Sequence, residues 1–334
     1  MLRFALRVTR VGSLILAIAA LTGVAYQAIG SARDAYRYPP PGQLVDVGGF
    51  RLHLYCTGVG SPTVILNSAS FDTVSDWVWL QPKVAKVTRV CAYDRAGLGW
   101  SDFGPGAHDP QANSQQLHVL LAKAGVQGPL VLVGHSFGGL YARHYAAQYP
   151  DDVSGMVLLE ATPPDFLSRA GKPDVLPNAD ATQMKMGPYA ARLRMLRLFH
   201  FVEIDGNLPE RQWAEVSAYY SSNKFADAAL SSFRLFPAIL AEVRATGNFG
   251  AKPLAVVIGG KSESASGLAR ELQQELAGLS SDSITRVIDG ASHTSLVRNE
   301  GDASRTAKVI LEVVNAVRSK QPLRACDTQG CGAD

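Results

Sequence analysis

The chain has 334 residues, of which 47% are hydrophobic, 18% charged and 8% aromatic. That composition excludes a disordered chain, a collagen and a small disulfide scaffold, and leaves room for one large domain or two small ones. Lys and Arg number 32 against 29 Asp and Glu. Arg3, Arg7 and Arg10 supply the whole excess. The remainder is neutral and has no basic stripe, which argues against nucleic acid as a partner.

The N-terminal tip is basic, and residues 11–32 then carry no charge. About 20 apolar residues in a helix cross the ~30 Å hydrocarbon layer. Arginines ahead of such a run stay in the cytoplasm, so the body is expected outside it. We read residues 1–32 as an uncleaved anchor holding the membrane through residues 11–30. The alternative is a signal peptide cut near Ala28-Ile29-Gly30, which would make the protein secreted. Residues 33–42, ending in Pro39-Pro40-Pro41-Gly42, read as a stiff extended linker.

Gln43–Val47 and Phe50–Cys56 alternate apolar and polar residues around Gly48-Gly49, the pattern of a hairpin. Short apolar strands follow at Thr63–Asn67, Thr88–Tyr93, Leu130–Gly134, Ser154–Leu159, Leu254–Ile258 and Ile284–Ile288. Strands apolar on every residue fit a parallel sheet covered on both faces. Helices are expected at Gln111–Ala124, Gly138–Gln148, Gly267–Ala277 and Ala303–Arg318. Strand–helix alternation after an antiparallel start predicts an eight-stranded, doubly wound α/β sheet built from residues 43–160 and 253–319. Residues 161–252 break the rhythm with helical stretches and no good strand, so they read as a helical cap. Residues 320–334 form a polar tail. Cys56 and Cys91 are either core hydrophobes or a bond between neighbouring strands, and Cys326 and Cys331 could close a small loop in the tail.

Gly134-His135-Ser136-Phe137-Gly138-Gly139 is G-x-S-x-G between an apolar strand and a helix. A sharp strand-to-helix turn strains the serine and leaves no room for side chains two positions away on either side. It presents the Ser136 hydroxyl at the sheet edge and aims the Phe137 N–H at a substrate oxygen. A serine alcohol needs a base. His293, in Asp289-Gly-Ala-Ser-His293 after the last strand, is the candidate; His135 is expected to pack under the turn. The base needs an acid. Glu160 ends an apolar strand, where a charge must be placed deliberately, and is favoured over Glu263, which lies in a polar loop. There is no P-loop, no H-E-x-x-H and no Cys/His cluster at zinc spacing, and the chemistry calls for no cofactor or metal.

These motifs are similar to those of the α/β-hydrolase fold superfamily, over roughly Gln43–Ser319. Asp94-Arg95-Ala-Gly97-Leu-Gly99-Trp-Ser101 resembles its D-x-R-G-x-G-x-S signature, and GHSFGG and GASH its elbow and histidine loop. The resemblance usually puts the acid after the Leu254–Ile258 strand, where Glu263 is nearest. Some subfamilies place it one strand earlier, at Glu160. The same resemblance sets the Phe50–Cys56 strand beside Thr88–Tyr93, which would allow a Cys56–Cys91 bond. The family's His-Gly after the third strand is replaced by Asn67-Ser68-Ala69-Ser70. By position the oxyanion donors would be the Ala69 and Phe137 N–H groups. A serine nucleophile disfavours dehalogenase and epoxide hydrolase chemistry. The expected activity is hydrolysis of a small apolar acyl substrate, most simply a carboxylic ester. Met184, Met186, Met195, Leu198 and Phe201 of the cap either line that pocket or pack the cap's own core. Alternatives are an aminopeptidase, with Glu242 a weak candidate for binding a free amine, a lactonase or an acyltransferase on the same residues. A non-catalytic binding protein of this fold is the other class.

Overall fold

The structure is a computed structural model describing residues 2–172, 181–199, 204 and 206–323. Strands β1 (Gln43–Asp46), β2 (Arg51–Thr57), β3 (Thr63–Asn67), β4 (Val90–Tyr93), β5 (Leu130–His135), β6 (Val153–Leu159), β7 (Leu254–Gly259) and β8 (Ser283–Ile288) form one eight-stranded sheet. Their order is β1-β2-β4-β3-β5-β6-β7-β8. β2 runs antiparallel to β1 and β4, and every other pairing is parallel.

The helices are α1 (Leu2–Arg37), α2 (Gln81–Ala85), α3 (Pro110–Lys123), α4 (Gly138–Gln148), α5 (Phe166–Arg169), α6 (Ala181–Arg192), α7 (Met195–Phe199), α8 (Glu210–Tyr220), α9 (Asn223–Arg244), α10 (Gly267–Ala277), α11 (Ser295–Arg298) and α12 (Glu300–Ser319). Alternate residues of the central strands face two apolar layers, which explains why runs such as β5 and β7 are apolar. Val64, Leu66, Val131, Val133 and Val257 pack on Ile310 and Val313 of α12. Ile65, Leu132, Leu158 and Val256 belong to the opposite layer with Leu117 and Leu120 of α3, Tyr145 of α4 and Leu276 of α10. α3 begins at Pro110, one residue ahead of the expected Gln111, with the Asp109 carboxylate accepting from the Ala112 N–H at 2.8 Å.

α5 to α9 fill the interval between β6 and β7, and no strand occurs among the described residues from 161 to 249. Phe236, Ile239, Leu240 and Val243 of α9 pack on Phe137, Leu140 and Tyr141 at the start of α4. This apolar contact seats the helical insertion on the strand-to-helix turn that carries Ser136.

α1 is long and apolar enough to cross a membrane, and only 6% of its apolar window is buried. It runs further than the sequence predicts. Residues 33–37, expected in the linker, stay helical, and Asp34 is held there by Arg197 at 2.7 Å. The connection to β1 is thus only residues 38–42.

Cys56 and Cys91 face each other across β2 and β4 and are bonded. Cys326, Cys331 and Phe201 lie outside the described residues. The bond spans 35 residues, so replacing both cysteines by serine is expected to cost about 3–4 kcal/mol in the chain-entropy picture. Urea unfolding of the double variant, beside the wild type with and without reductant, measures it: reductant should shift the wild-type midpoint and leave the variant's in place.

Candidate active site

The first component is the turn between β5 and α4. Ser136 has φ +52, a left-handed backbone that a non-glycine residue adopts only when its surroundings impose it. The Ser136 N–H donates to Leu159 O at 3.0 Å, and Ser136 O accepts from the N–H groups of Gly139 and Thr162, each at 3.0 Å. The glycines permit close approach. A Cβ on Gly134 would lie 2.5 Å from Gly139 Cα, and one on Gly138 would lie 2.0 Å from Asn67 O. The turn therefore touches the end of β3, where the other predicted oxyanion donor stands. Ser136 is half-buried and Phe137 buried.

The second component is the pair Glu160 and His293. Glu160 follows β6 with φ +39, again in the left-handed region. Its Oε2 is 2.7 Å from His293 Nδ1. Its Oε1 accepts from the Gly259 N–H at 2.9 Å and from Ser262 Oγ. Burial pushes this carboxyl upward, but the hydrogen bonds from His293, Ser262 and Gly259, with the histidine's charge, outweigh it and hold the group below its ordinary value. A carboxylate only accepts, so His293 Nδ1 carries the proton of this bond, and Nε2 is the ring nitrogen turned away from Glu160. The His293 side chain is 43% exposed while that of Glu160 is fully buried. The imidazole thus faces outward from a buried carboxylate. Glu263 is exposed at the start of a short 3₁₀ turn, and no bond joins it to His293.

His135 packs beneath the turn, as expected. Burial first, and the neighbouring His293 second, lower its proton affinity far below that of a free imidazole. Its Nε2 lies 3.0 Å from His293 O, so the neutral ring donates there and fixes the backbone of the predicted base.

The third component was only partly legible in the sequence. Arg95 is 2% exposed, and its guanidinium donates to Ser68 O and Ala69 O at 2.6 Å each and to Ser70 O at 3.0 Å. This clamp turns the carbonyls of the loop after β3 inward. Among the described residues neither the Ala69 nor the Phe137 N–H is used in a hydrogen bond. Asp94 holds the next turn, accepting from the N–H groups of Val74 at 2.9 Å and Trp100 at 3.0 Å and facing His53 Nδ1 at 2.8 Å. Gly99 must be glycine there, since a Cβ would lie 2.3 Å from Asp94 Oδ2. The signature around Asp94-Arg95 thus shapes the loop that carries Ala69.

Arg298, in α11 shortly after His293, ties that loop to the rest of the molecule. It donates to Asp76 at 2.8 Å and Asp72 at 2.7 Å and reaches Tyr220 of α8 at 3.3 Å. Burial first, and the charge of Asp72 second, push Asp76 up to about 7 against the pull of Arg298.

The insertion's apolar side chains depart from expectation. Met186, Met195 and Leu198 are 55%, 37% and 44% exposed, neither packing a core nor enclosed in a pocket, and Met184 is half-buried. Glu242 lies on α9, 4.0 Å from His144. Two clefts of about 460 and 570 Å³ open elsewhere, the first between α1 and the insertion at Tyr38 and Lys224, the second around Tyr55 and Gln81. Neither is lined by Ser136, Glu160 or His293.

The fold and the strand-to-helix serine define an α/β hydrolase. A family model described as the alpha/beta hydrolase family matches residues 58–308, and the chain belongs to that family. A bifunctional esterase/perhydrolase of Acinetobacter calcoaceticus is 40% identical over 90 residues, 27% of this chain and 32% of the relative. A 2-hydroxy-6-oxo-2,4-heptadienoate hydrolase of Pseudomonas putida is 29% identical over 132 residues, 37% of this chain and 46% of the relative. Each match spans less than half of the relative's length. Among solved structures, a mutant of DBJA superposes with TM-score 0.64 at 17% identity, covering 83% of this chain and 99% of its own. A serine hydrolase involved in carbazole degradation gives TM-score 0.57 at 17% identity over 81% of this chain and 98% of its own. At such identity these likenesses speak for the fold alone.

Proposed function

We propose that the protein is a serine hydrolase cleaving a carboxylic ester of a small apolar acyl substrate. The observation that carries this reading is the 2.7 Å hydrogen bond between Glu160 and His293, on a sheet edge that also presents Ser136 on its strained turn. In this reading Ser136 Oγ attacks the acyl carbonyl and gives its proton to His293 Nε2. The N–H groups of Ala69 and Phe137 receive the oxyanion. The imidazolium, stabilised by Glu160, returns the proton to the departing alkoxide, and water then releases the acyl group by the same steps. The hydroxyl of Ser136 forms no hydrogen bond to His293 here; unliganded sites commonly tighten that contact only with substrate bound.

The reading includes α1 as an uncleaved membrane anchor, with the catalytic domain on the non-cytoplasmic side. Its support is that the C-terminal half of α1 packs on the body: Gln27 is 1% exposed and donates to Ser221 O at 2.9 Å.

The test is turnover of p-nitrophenyl esters of rising chain length by the full chain in detergent, beside p-nitroanilides carrying the same acyl groups. Ester cleavage with a maximum at one chain length, and anilide cleavage slower by orders of magnitude, is expected. Anilide cleavage at a comparable rate, or no ester turnover from folded protein, would reject the assignment. The anchor is tested by the mass of the membrane-bound protein, expected at the full 35.7 kDa.

A further inference from the structure

We propose that the α6–α7 segment, residues 181–199, is seated in the outer leaflet of the membrane beside α1, its exposed apolar side chains in contact with lipid. The inference rests on the reading of α1 as an uncleaved span.

The first observation is the height at which the body grips α1. Contacts begin at Gly23, where a Cβ would lie 3.1 Å from Leu193 O, and continue at Gly30, where a Cβ would lie 2.9 Å from Arg197 Nε. Between them Gln27 accepts from Arg197 Nε at 3.3 Å, and the Arg194 guanidinium lies 5.3 Å over the Tyr26 ring. These positions follow one face of the helix, and the two glycines let Leu193, ahead of α7, and Arg197 of α7 approach closely. A hydrocarbon span of about 20 residues that starts after Arg10 ends near Gly30. Gly23 then lies roughly 10 Å below the outer boundary at 1.5 Å of rise per residue. The segment that touches Gly23 to Gly30 must therefore stand at the level of the outer leaflet, not above it.

The second observation is the chemistry of that segment. Residues 181–199 carry Lys185, Arg192, Arg194 and Arg197 and no acid; Arg192 pairs with Asp227 at 2.9 Å, Arg197 with Asp34 at 2.7 Å and Arg194 lies over Tyr26, so the exposed Lys185 is the cation turned to the surroundings. Met186, Tyr189, Leu193 and Leu198 are 55%, 64%, 40% and 44% exposed. A cation with apolar and aromatic side chains on a short helical element is what an interfacial helix presents, lying about 5–10 Å into the headgroup–acyl boundary. That depth coincides with the one set by the grip on α1. Gln27, the polar residue of α1 at that level, is turned onto Ser221 and Arg197 and away from lipid.

The full chain is reconstituted in vesicles of phosphatidylcholine and phosphatidylglycerol. One tryptophan is added at a time: Tyr189→Trp, Leu198→Trp, Leu16→Trp in α1, and Val59→Trp in the loop before β3, at the opposite end of the sheet from Ser136. Emission beyond the parent's is compared in plain vesicles and in vesicles whose lipids carry bromine near the headgroup end or near the tail end of the acyl chain. Tryptophans at 189 and 198 should lose about half their added emission to shallow bromine, the depth expected of an interfacial helix. Leu16→Trp should be quenched by deep bromine and Val59→Trp by neither. A variant whose urea midpoint departs from the parent's is replaced by Met186→Trp. Quenching at 16 without quenching at 189 and 198 overturns the proposal and leaves the anchor standing, and the same pattern with a cross-linkable dimer gives that face to a second copy. Absence of quenching at 16 as well overturns the anchor reading itself.

Discussion

Ser136→Ala is expected to abolish fluorophosphonate labelling and to lower kcat for the preferred ester on the order of 10⁶-fold. Without the Oγ there is no acyl-enzyme, and the remaining oxyanion donors and substrate contacts supply only a small residual rate. The fold should survive the change. The turn is held by backbone bonds from Ser136 to Leu159, Gly139 and Thr162, and alanine keeps all of them. The variant should therefore unfold at the wild-type urea midpoint while failing to react with the probe. Labelling that persists in the variant would assign the nucleophile elsewhere and remove the basis of the proposed mechanism.

Glu160→Gln is expected to lower kcat by about 10⁴-fold, and Glu263→Gln to change it little. The neutral amide can offer its NH₂ to His293 Nδ1, which selects the wrong tautomer and turns the proton toward Ser136. It also leaves the imidazolium without its counter-charge. A second readout separates this role from simple packing. The carboxyl of Glu160 is held below its free value of 4.5 in the folded chain. Its contribution to stability is thus fully present above pH 4.5 and is lost as pH falls through the lower folded value. Glu160→Gln should weaken that part of the acid dependence of the urea midpoint, and Glu263→Gln should leave it alone. Equal losses of activity in the two variants would mean that neither assignment of the acid is right.

Much of the architecture is legible because the physics is local. A strand buried on both faces is apolar through its middle, so the Val64–Leu66 run marks β3, and helix α4 begins where the glycine turn ends. The residues gathered at the sheet edge are legible for a related reason, since Ser136, Glu160 and His293 each follow directly on an apolar strand or lie a few residues beyond it. What the sequence conceals is long-range. Ser262 lies in a polar loop and shows no sign that its hydroxyl reaches Glu160. Arg95 belongs to a recognisable signature, yet its grip on the carbonyls of residues 68–70 appears only once β3 and β4 are neighbours. The apolar residues of α6 and α7 read as interior, because composition alone does not say which apolar side chains a fold leaves exposed. Gln27, an amide within the uncharged run of residues 11–32, is the residue through which α1 bonds to the body at Ser221.

If the domain is exported, as proposed, the Cys56–Cys91 bond gives the order of biogenesis a direction. It fastens β2, and through it β1, to the parallel body of the sheet at β4. In a reducing cytosol those sulfurs stay apart, and the hairpin is held by hydrogen bonds and packing alone. If α1 directs the chain across the membrane, as proposed, the looser thiol form is the one that meets the translocation machinery, and the covalent fastening is added on the far side. The bond then works as a one-way latch: the N-terminal edge of the sheet becomes rigid only after the domain has arrived where it is to act.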